Sequence, residues 1–553
     1  MTTSRLRAIL AVLLLAAGLL LLIPSILIAQ VDTAWVRRYD GPIHQDDAAT
    51  CVAIDSAGNI YVGGVSDHNP SPDTGDMDIV AIKYHPNGDT TWTTRYAAYG
   101  YPYKRMAGLV VDHSGNVYIG GSRGLTDETD CLVLKYDSMG VLQWQRTYGG
   151  GPANGIAAIA LDSTDNVVVT AFVQRTFGFN FVTTKYRPNG DTAWVREYEG
   201  PTIDLDYPQA IAVDRDNNVI VAGYGAGVGT HYDAEVIKYD SSGTFKWDAR
   251  YDGPQHGDDR AFAMTLDTAG NVYIAGRTDT GYGTGPDMLT AKFTASGQPA
   301  WAQRYAGTAN DWDEALAVAV DGSGNVYSAG YLCMLTSFCF ATLSYDPTGE
   351  LNWPAFYDGP VATDQACAVG VRDGAWVAVS GRSDGVGTSY DIATVWYNLE
   401  GETLAVRRYN GPGNYFDEPA ALVVAATGDV IVVGRSGQGD FLTDMVTVKH
   451  TAQSAVSAAT LPHSVQAIVV RPNPSREHTK VMVGVPAQAV RMCVVDMTGR
   501  SVADLRPYRD PAGRWCADWD GTGSSGNRVS SGVYVIQIDA GGQTECAGVV
   551  KCR

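Results

Sequence analysis

With 553 residues, 45% of them hydrophobic and only 18% charged, the chain has ample apolar material for a core, which excludes a disordered protein. Its 60 acidic and 40 basic residues leave a formal net charge of -20, which repels phosphates and anionic headgroups and excludes nucleic acid as the natural partner. With 62 glycines and 30 tyrosines it suits short strands joined by tight turns, and the expected class is all-β.

At the N-terminus Arg5 and Arg7 precede an apolar run from Ala8 to Ile23, then Pro24 and Ser25, with a possible cut after Ala29. Residues 1–29 read as a secretory signal peptide. The stretch from Ala8 to Ala29 also approaches the roughly 20 residues that span a bilayer, so an uncleaved anchor is the competing reading. No other segment is apolar enough to cross a membrane. The expected location is therefore outside the cell or on its outer surface, with no span left after signal removal.

From residue 32 a repeat of about 52 residues organises the chain, marked by Tyr39, Tyr96, Tyr148, Tyr198, Tyr251, Tyr305, Tyr357 and Tyr409. In the first unit Thr50 to Ile54, Ile60 to Gly64 and Ile79 to Tyr84 read as strands, and the segment carrying Trp and Tyr makes a fourth. Asp55-Ser56-Ala57-Gly58-Asn59 joins the first two, with relatives at Asp112, Asp162, Asp214, Asp267 and Asp321. His85-Pro86-Asn87-Gly88-Asp89 joins the last two. Both are hairpin turns, since Gly and Asn tolerate positive φ. Four strands per unit of this length predict β-propeller blades, eight in all, over residues 32–450.

Two columns carry the packing argument. Gly64, Gly121, Ala171, Gly223, Gly276, Gly330, Gly381 and Gly434 admit no large side chain, so a neighbour approaches the backbone there. Trp35, Trp92, Trp144, Trp194, Trp247, Trp301 and Trp353 share a strand face with their Tyr and are expected to wedge between blades. Ala405 stands where the eighth Trp is expected. The chain opens on an orphan fourth strand, Thr33 to Tyr39, and the last repeat stops after its third, Val446 to His450; joining the two closes the ring and removes an exposed edge.

Nine cysteines in an exported chain suggest disulfides, and Cys333 with Cys339 is the one pair expected. The Asp-x-x-Gly-Asn-x-Tyr-x-x-Gly and Lys-Tyr-x-x-x-Gly patterns resemble the SBBP-type propeller repeats of exported bacterial proteins. That resemblance implies the fold and brings no catalytic residues.

Residues 451–463 read as an Ala/Ser/Thr-rich linker, after which short alternating strands over 464–553 suit a small Ig-like β-sandwich. Asn473-Pro474, Asp496-x-x-Gly499-Arg500, Trp519-Asp520-Gly521, Gly526-Asn527 and Ser531-Gly532-Val533-Tyr534 resemble the C-terminal sorting domain of type IX secretion cargo, and the Ig-like domain of flagellar hook-capping proteins is similar. The resemblance implies secretion machinery as a partner and surface attachment as the outcome. An ordinary Ig-like accessory domain is the plainer reading.

Two aspartate columns are the candidate ligand-binding residues. Asp47, Asp206, Asp259, Asp313 and Asp417 precede the first strand; Asp78, Asp130, Asp233, Asp287, Asp391 and Asp444 start the third. A four-stranded meander brings both to one loop-rich face, which is expected to be strongly acidic. Turn capping is the competing role for a residue repeated in nearly every unit. Arg277, Arg382 and Arg435, one residue past the Gly column in three units only, either orient a carboxylate or acidic sugar or pair with the aspartates.

Enzyme and metal signatures fail. Gly120-Gly121-Ser122-Arg123-Gly124 and Gly381-Arg382-Ser383-Asp384-Gly385 spell Gly-x-Ser-x-Gly at a strand end with no following helix. Asp214-Arg215-Asp216-Asn217-Asn218 lacks the Gly and distal Glu of a calcium loop. No cofactor and no metal are expected. The function expected is a binding or scaffold module for a protein or glycan ligand, with an extracellular polysaccharide hydrolase or lyase using the face's carboxylates as the alternative.

Overall fold

The computed structural model describes residues 31–551 apart from 69–75, 99, 126–127, 150–152, 177, 203–204, 280, 282–284, 308–310, 335–336, 362, 440–441, 453–465, 472–478, 485–489, 497–499, 510–514, 525, 530–531 and 541–542. The signal-peptide reading and most of the linker lie outside the described residues, as does Asn473-Pro474. Among the described residues the structure is all-β, and no helix is long and apolar enough to cross a membrane. The chain falls into two compact units, one ending at Ser454 and the other starting at Ala455.

Among the described residues the first unit holds eight four-stranded antiparallel sheets. Seven are meanders in chain order, the first built from Asp47–Ile54, Ile60–Asp67, Met77–Tyr84 and Thr90–Tyr96. The first strands begin earlier than the repeat predicts, so Asp47, Asp206, Asp259 and Asp417 open them instead of preceding them, while Asp313 still precedes its strand and the second aspartate column stands near the start of the third strand as expected. The eighth sheet takes Asp417–Val424, Val430–Gly439 and Leu442–Ala452 from the end of the repeats and Val31–Tyr39 from their beginning, with Val36 opposite Val448. Leu442–Ala452 claims Thr451 and Ala452 from the expected linker.

Local chemistry explains the strands. Asp55 Oδ1 accepts the Ala57 and Asn59 N–H groups while Oδ2 accepts Asn59 Nδ2 and the Tyr61 hydroxyl, and Gly58 takes φ 80°. Asp214 makes the same turn, with Asn217 at φ 61° in the glycine's place, so its calcium-like spacing encodes a hairpin. The Gly column faces a bulge in the first strand: a Cβ on Gly64 would lie 2.0 Å from the Ala48 carbonyl oxygen, and one on Gly276 1.8 Å from that of Arg260.

Neighbouring sheets are clasped by the tryptophans. Each indole N–H donates to a carbonyl in the next sheet's second turn: Trp92 to Ser138 at 3.0 Å, Trp144 to Pro188 at 3.0 Å, Trp353 to Leu399 at 2.7 Å. In several sheets the lysine opposite the tryptophan donates to the same oxygen, as Lys135 does to Pro188 and Lys238 to Ala295 beside Trp247. The eighth sheet does likewise to the first, since Trp35 and Lys449, from opposite ends of the repeats, both donate to Pro86. Ala405 now has a reason. The eighth sheet's third and fourth strands come from distant parts of the chain, so no turn joins them and the seventh sheet has nothing to clasp. The aromatic ring moves across the strand to Trp396, whose ring meets His450 edge-on at 5.2 Å.

Cys333 and Cys339 are free, which corrects the expected disulfide. Cys333 stands opposite Phe338 and Cys339 opposite Leu332, an odd offset that sends the two thiols to opposite sheet faces.

The second unit, taken by itself, has among its described residues two four-stranded antiparallel sheets sharing a core of Val481, Met492, Val494, Ala517, Trp519, Tyr534, Ile536 and Ile538.

Candidate functional site

The first aspartate column is buried, not displayed. Asp47, Asp206, Asp259 and Asp417 are 0% exposed and Asp313 1%. Each carboxylate accepts the backbone N–H of the glycine that leads out of the preceding sheet: Gly41 to Asp47 at 2.5 Å, Gly200 to Asp206 at 2.9 Å, Gly253 to Asp259 at 2.6 Å, Gly307 to Asp313 at 2.6 Å and Gly411 to Asp417 at 2.7 Å. Asp364 belongs to the same set, holding Gly359 at 2.7 Å. Burial pushes all six carboxyls up to about 6. In the second sheet Lys104 takes this place, its ammonium 3.3 Å from Asp76 and Asp78; in the third Asn154 does, donating to the Thr129 carbonyl at 2.8 Å.

The second column is ion-paired. Asp444 meets Arg38 at 2.9 Å, Asp233 meets Arg250 at 3.5 Å, Asp287 meets Arg304 at 3.0 Å and Asp391 meets Arg408 at 2.9 Å, while Asp78 has Arg95 at 3.7 Å besides Lys104. In every case the arginine immediately precedes the register tyrosine. Asp130 departs from this because Thr147 occupies the arginine's position.

The two columns do converge at two junctions, where Asp40, Asp47 and Asp444, and likewise Asp233, Asp252 and Asp259, bring one oxygen each within 4.8 Å of the others. Both sit on the same sequence, Tyr-Asp-Gly-Pro-x-His-x-Asp-Asp, with His44 at 2.5 Å from Asp40 and His256 at 2.6 Å from Asp252. Gly41, Arg38 and His44, and Gly253, Arg250 and His256, already hold these carboxylates. Their contacts join sheets, and the first column and all of the second but Asp130 are held by partners within the protein.

Arg277, Arg382 and Arg435 lead elsewhere. They pair with glutamates and not with the aspartate columns: Arg277 with Glu314 at 2.6 Å, Arg382 with Glu418 at 2.8 Å and Arg435 with Glu418 at 2.5 Å. Each is half of a cross-strand pair that follows the buried first-column position and varies from sheet to sheet. In chain order the pairs are Ala48/Val65, Arg105/Ser122, Gly155/Phe172, Tyr207/Tyr224, Arg260/Arg277, Glu314/Tyr331, Gln365/Arg382 and Glu418/Arg435.

From the third sheet to the eighth these side chains form a belt. Phe179 and Tyr207 stand 5.2 Å apart, and Tyr207 and Tyr224 5.5 Å apart. Arg260 lies 4.8 Å from the Tyr224 and Tyr232 rings, and Arg277 lies 4.5 Å over Trp312, whose surface is 49% exposed. Tyr331 donates to Glu314 at 2.8 Å; Arg382 covers Tyr390 and Arg435 covers Phe416. Rings stacked with guanidinium groups present flat, partly wet surfaces with polar rims, which suits a ligand having both apolar faces and hydroxyl or charged groups. Ser122 of the Gly-x-Ser-x-Gly sequence lies within the strand Val117–Gly124, opposite Arg105.

No family model matches the chain, and no curated protein matches it. Among solved structures it is similar to a puromycin hydrolase mutant complexed with PGG, at 13% identity and TM-score 0.40, covering 72% of this chain and 60% of that one, less than two thirds of its length. It is also similar to the polysaccharide lyase Uly1, at 11% identity and TM-score 0.41 over 62% and 89% of the two chains. The β-propeller domain of the trilobed protease from Pyrococcus furiosus is similar at 9% identity and TM-score 0.37 over 65% and 96%. Likenesses this loose fix neither the number of sheets nor a chemistry.

Proposed function

We propose that the first unit is an eight-bladed β-propeller closed through Val31–Tyr39, and that it works outside the cell as a glycan-binding module. The Trp35 and Lys449 clasp on Pro86 supports the closure, because it repeats the contact made between sheets that are consecutive in sequence. The second unit is the Ig-like sorting or anchoring domain, exporting the protein as a type IX cargo and holding it at the surface.

The observation that carries the binding reading is the cross-strand pair column. Its neighbours on both sides keep one residue type in most sheets, buried aspartate before in all but the second and third and glycine after in all but the third, while the pair itself changes between Tyr/Tyr, Arg/Arg and Glu/Arg. Packing demands alone would have repeated it; a ligand that is not eightfold symmetric demands variety.

A glycan array followed by calorimetry on the full chain tests the reading. We expect binding to one glycan class, weakened at least roughly fivefold by Trp312→Ala or Tyr224→Ala, the loss of one stacked ring being worth about 1 kcal/mol or more. Trp144→Phe, at a clasp, leaves binding unchanged. Absence of any glycan binding refutes it, and release of new sugar ends on incubation moves the protein to the hydrolase or lyase class.

A further inference from the structure

A cavity of about 290 Å3 lies at the start of the belt, between the second and fourth sheets, walled by Arg105, Ser122, Gly155, Phe172, Tyr207 and Gln209 among others. Its form follows from one small residue. Gly155 stands opposite Phe172, and a Cβ there would lie 2.7 Å from that ring, so only glycine lets the ring lie against the backbone as a wall. Tyr207 supplies the second wall, its ring 6.2 Å from Phe172 and tilted by 55°.

Arg105 sets this cavity apart. Arg260, Arg277, Arg382 and Arg435 each hold a carboxylate within the belt. Arg105 is exposed, and among the described residues its guanidinium has no ion pair and no hydrogen bond, its backbone alone being paired, opposite Ser122. In a chain of net charge -20, this arginine stands without a carboxylate at the edge of an aromatic cavity with its full donor set available.

We propose that this cavity is a subsite for a carboxylated sugar, a uronate residue of an acidic polysaccharide, which deepens and rests on the glycan-binding reading above. The Arg105 guanidinium donates two N–H groups to the sugar carboxylate. Phe172 and Tyr207 receive the ring's C–H face, whose partial positive charge suits the negative faces of aromatic rings. Gln209 and Ser122 offer donors and acceptors to the hydroxyls. A uronate holds a carboxylate and a flat C–H face rigidly on one ring, which matches a cation beside two aromatic walls. An acidic peptide carries its carboxylates on flexible stems and has no need of the walls.

The test is calorimetry of the full chain with short oligogalacturonates, oligomannuronates and glucuronate-containing oligosaccharides, with their methyl esters, and with a poly-aspartate peptide. We expect at least one free-acid oligosaccharide to bind, its methyl ester to bind roughly ten- to hundredfold more weakly, and Arg105→Gln to reproduce that loss for the acid while leaving the ester unchanged. Affinity for the acid falls with added salt, and Phe172→Ala weakens acid and ester alike. Equal binding of acid and ester, or an Arg105→Gln variant as tight as wild type, overturns the subsite while leaving a glycan-binding protein. Binding of the peptide in place of every saccharide, or of none of the probes, overturns the subsite, and a glycan array that is also blank overturns the glycan reading with it.

Discussion

Single residues do two jobs here that the sequence shows as one repeated letter. Asp259 and its equivalents direct a buried carboxylate at one backbone N–H, pinning the link between sheets. Asp259→Ala leaves the Gly253 N–H buried without an acceptor and should lower stability by about 1–3 kcal/mol in urea unfolding, whereas Asp259→Asn, which keeps an acceptor, should lose less. Trp144→Phe removes a single indole N–H and should cost about 0.5–1.5 kcal/mol. Trp35→Phe should cost the same, because its clasp on Pro86 has the same partners, and Ala405→Trp should gain nothing since no turn stands opposite it. Of the candidate residues, the aspartate columns were visible in the sequence but their partners were not. The Arg-Tyr dipeptides at Arg38, Arg95, Arg250, Arg304 and Arg408 are the signal that would have assigned the third-strand aspartates to ion pairs. Asp364 escaped because its link is one residue short, five positions from Gly359 where Asp417 stands six from Gly411.

At the scale of the element, turns and strands were legible because their causes are local. Asp, Gly and Asn at fixed spacing can only make the hairpins observed, and Gly190 shows how tightly the second one is specified: φ is 86° and a Cβ would lie 3.0 Å from the Trp144 ring. Gly190→Ala should therefore lower the melting temperature, with a cost of about 1 kcal/mol or more from strain and contact together. The belt was half legible. Arg277, Arg382 and Arg435 stand out in the sequence, yet Tyr207, Tyr224, Glu314, Glu418 and Arg105 do not, because membership depends on strand register and on which sheet lies alongside. The Cys333–Cys339 expectation failed for the same reason: proximity in sequence says nothing of which sheet face a thiol takes.

For the whole molecule, the six buried first-column carboxyls set the response to pH. Their folded value of about 6 stands above the ordinary 3.8, so the folded state binds protons more readily than the unfolded one. The stability they contribute is present below 3.8 and lost as pH rises through 6. The turn aspartates act oppositely. Burial pushes Asp55 and Asp267 up, but hydrogen bonds from Asn59 and Tyr61, and from Asn271 and Tyr273, outweigh it and hold both below the ordinary value, so their contribution fades as pH falls below that range. Melting temperature should thus rise on going from neutral pH toward 5 and fall again below about 4; a curve that only falls from pH 7 downward contradicts the assignment. The same global view rests on the strand that joins the two ends of the repeat array. Thermal unfolding of the full chain against one lacking residues 31–41 probes it most directly. A clear drop in melting temperature is expected, since the eighth sheet loses its outer strand and the first its Trp35 clasp, and an unchanged melting temperature would contradict that closure.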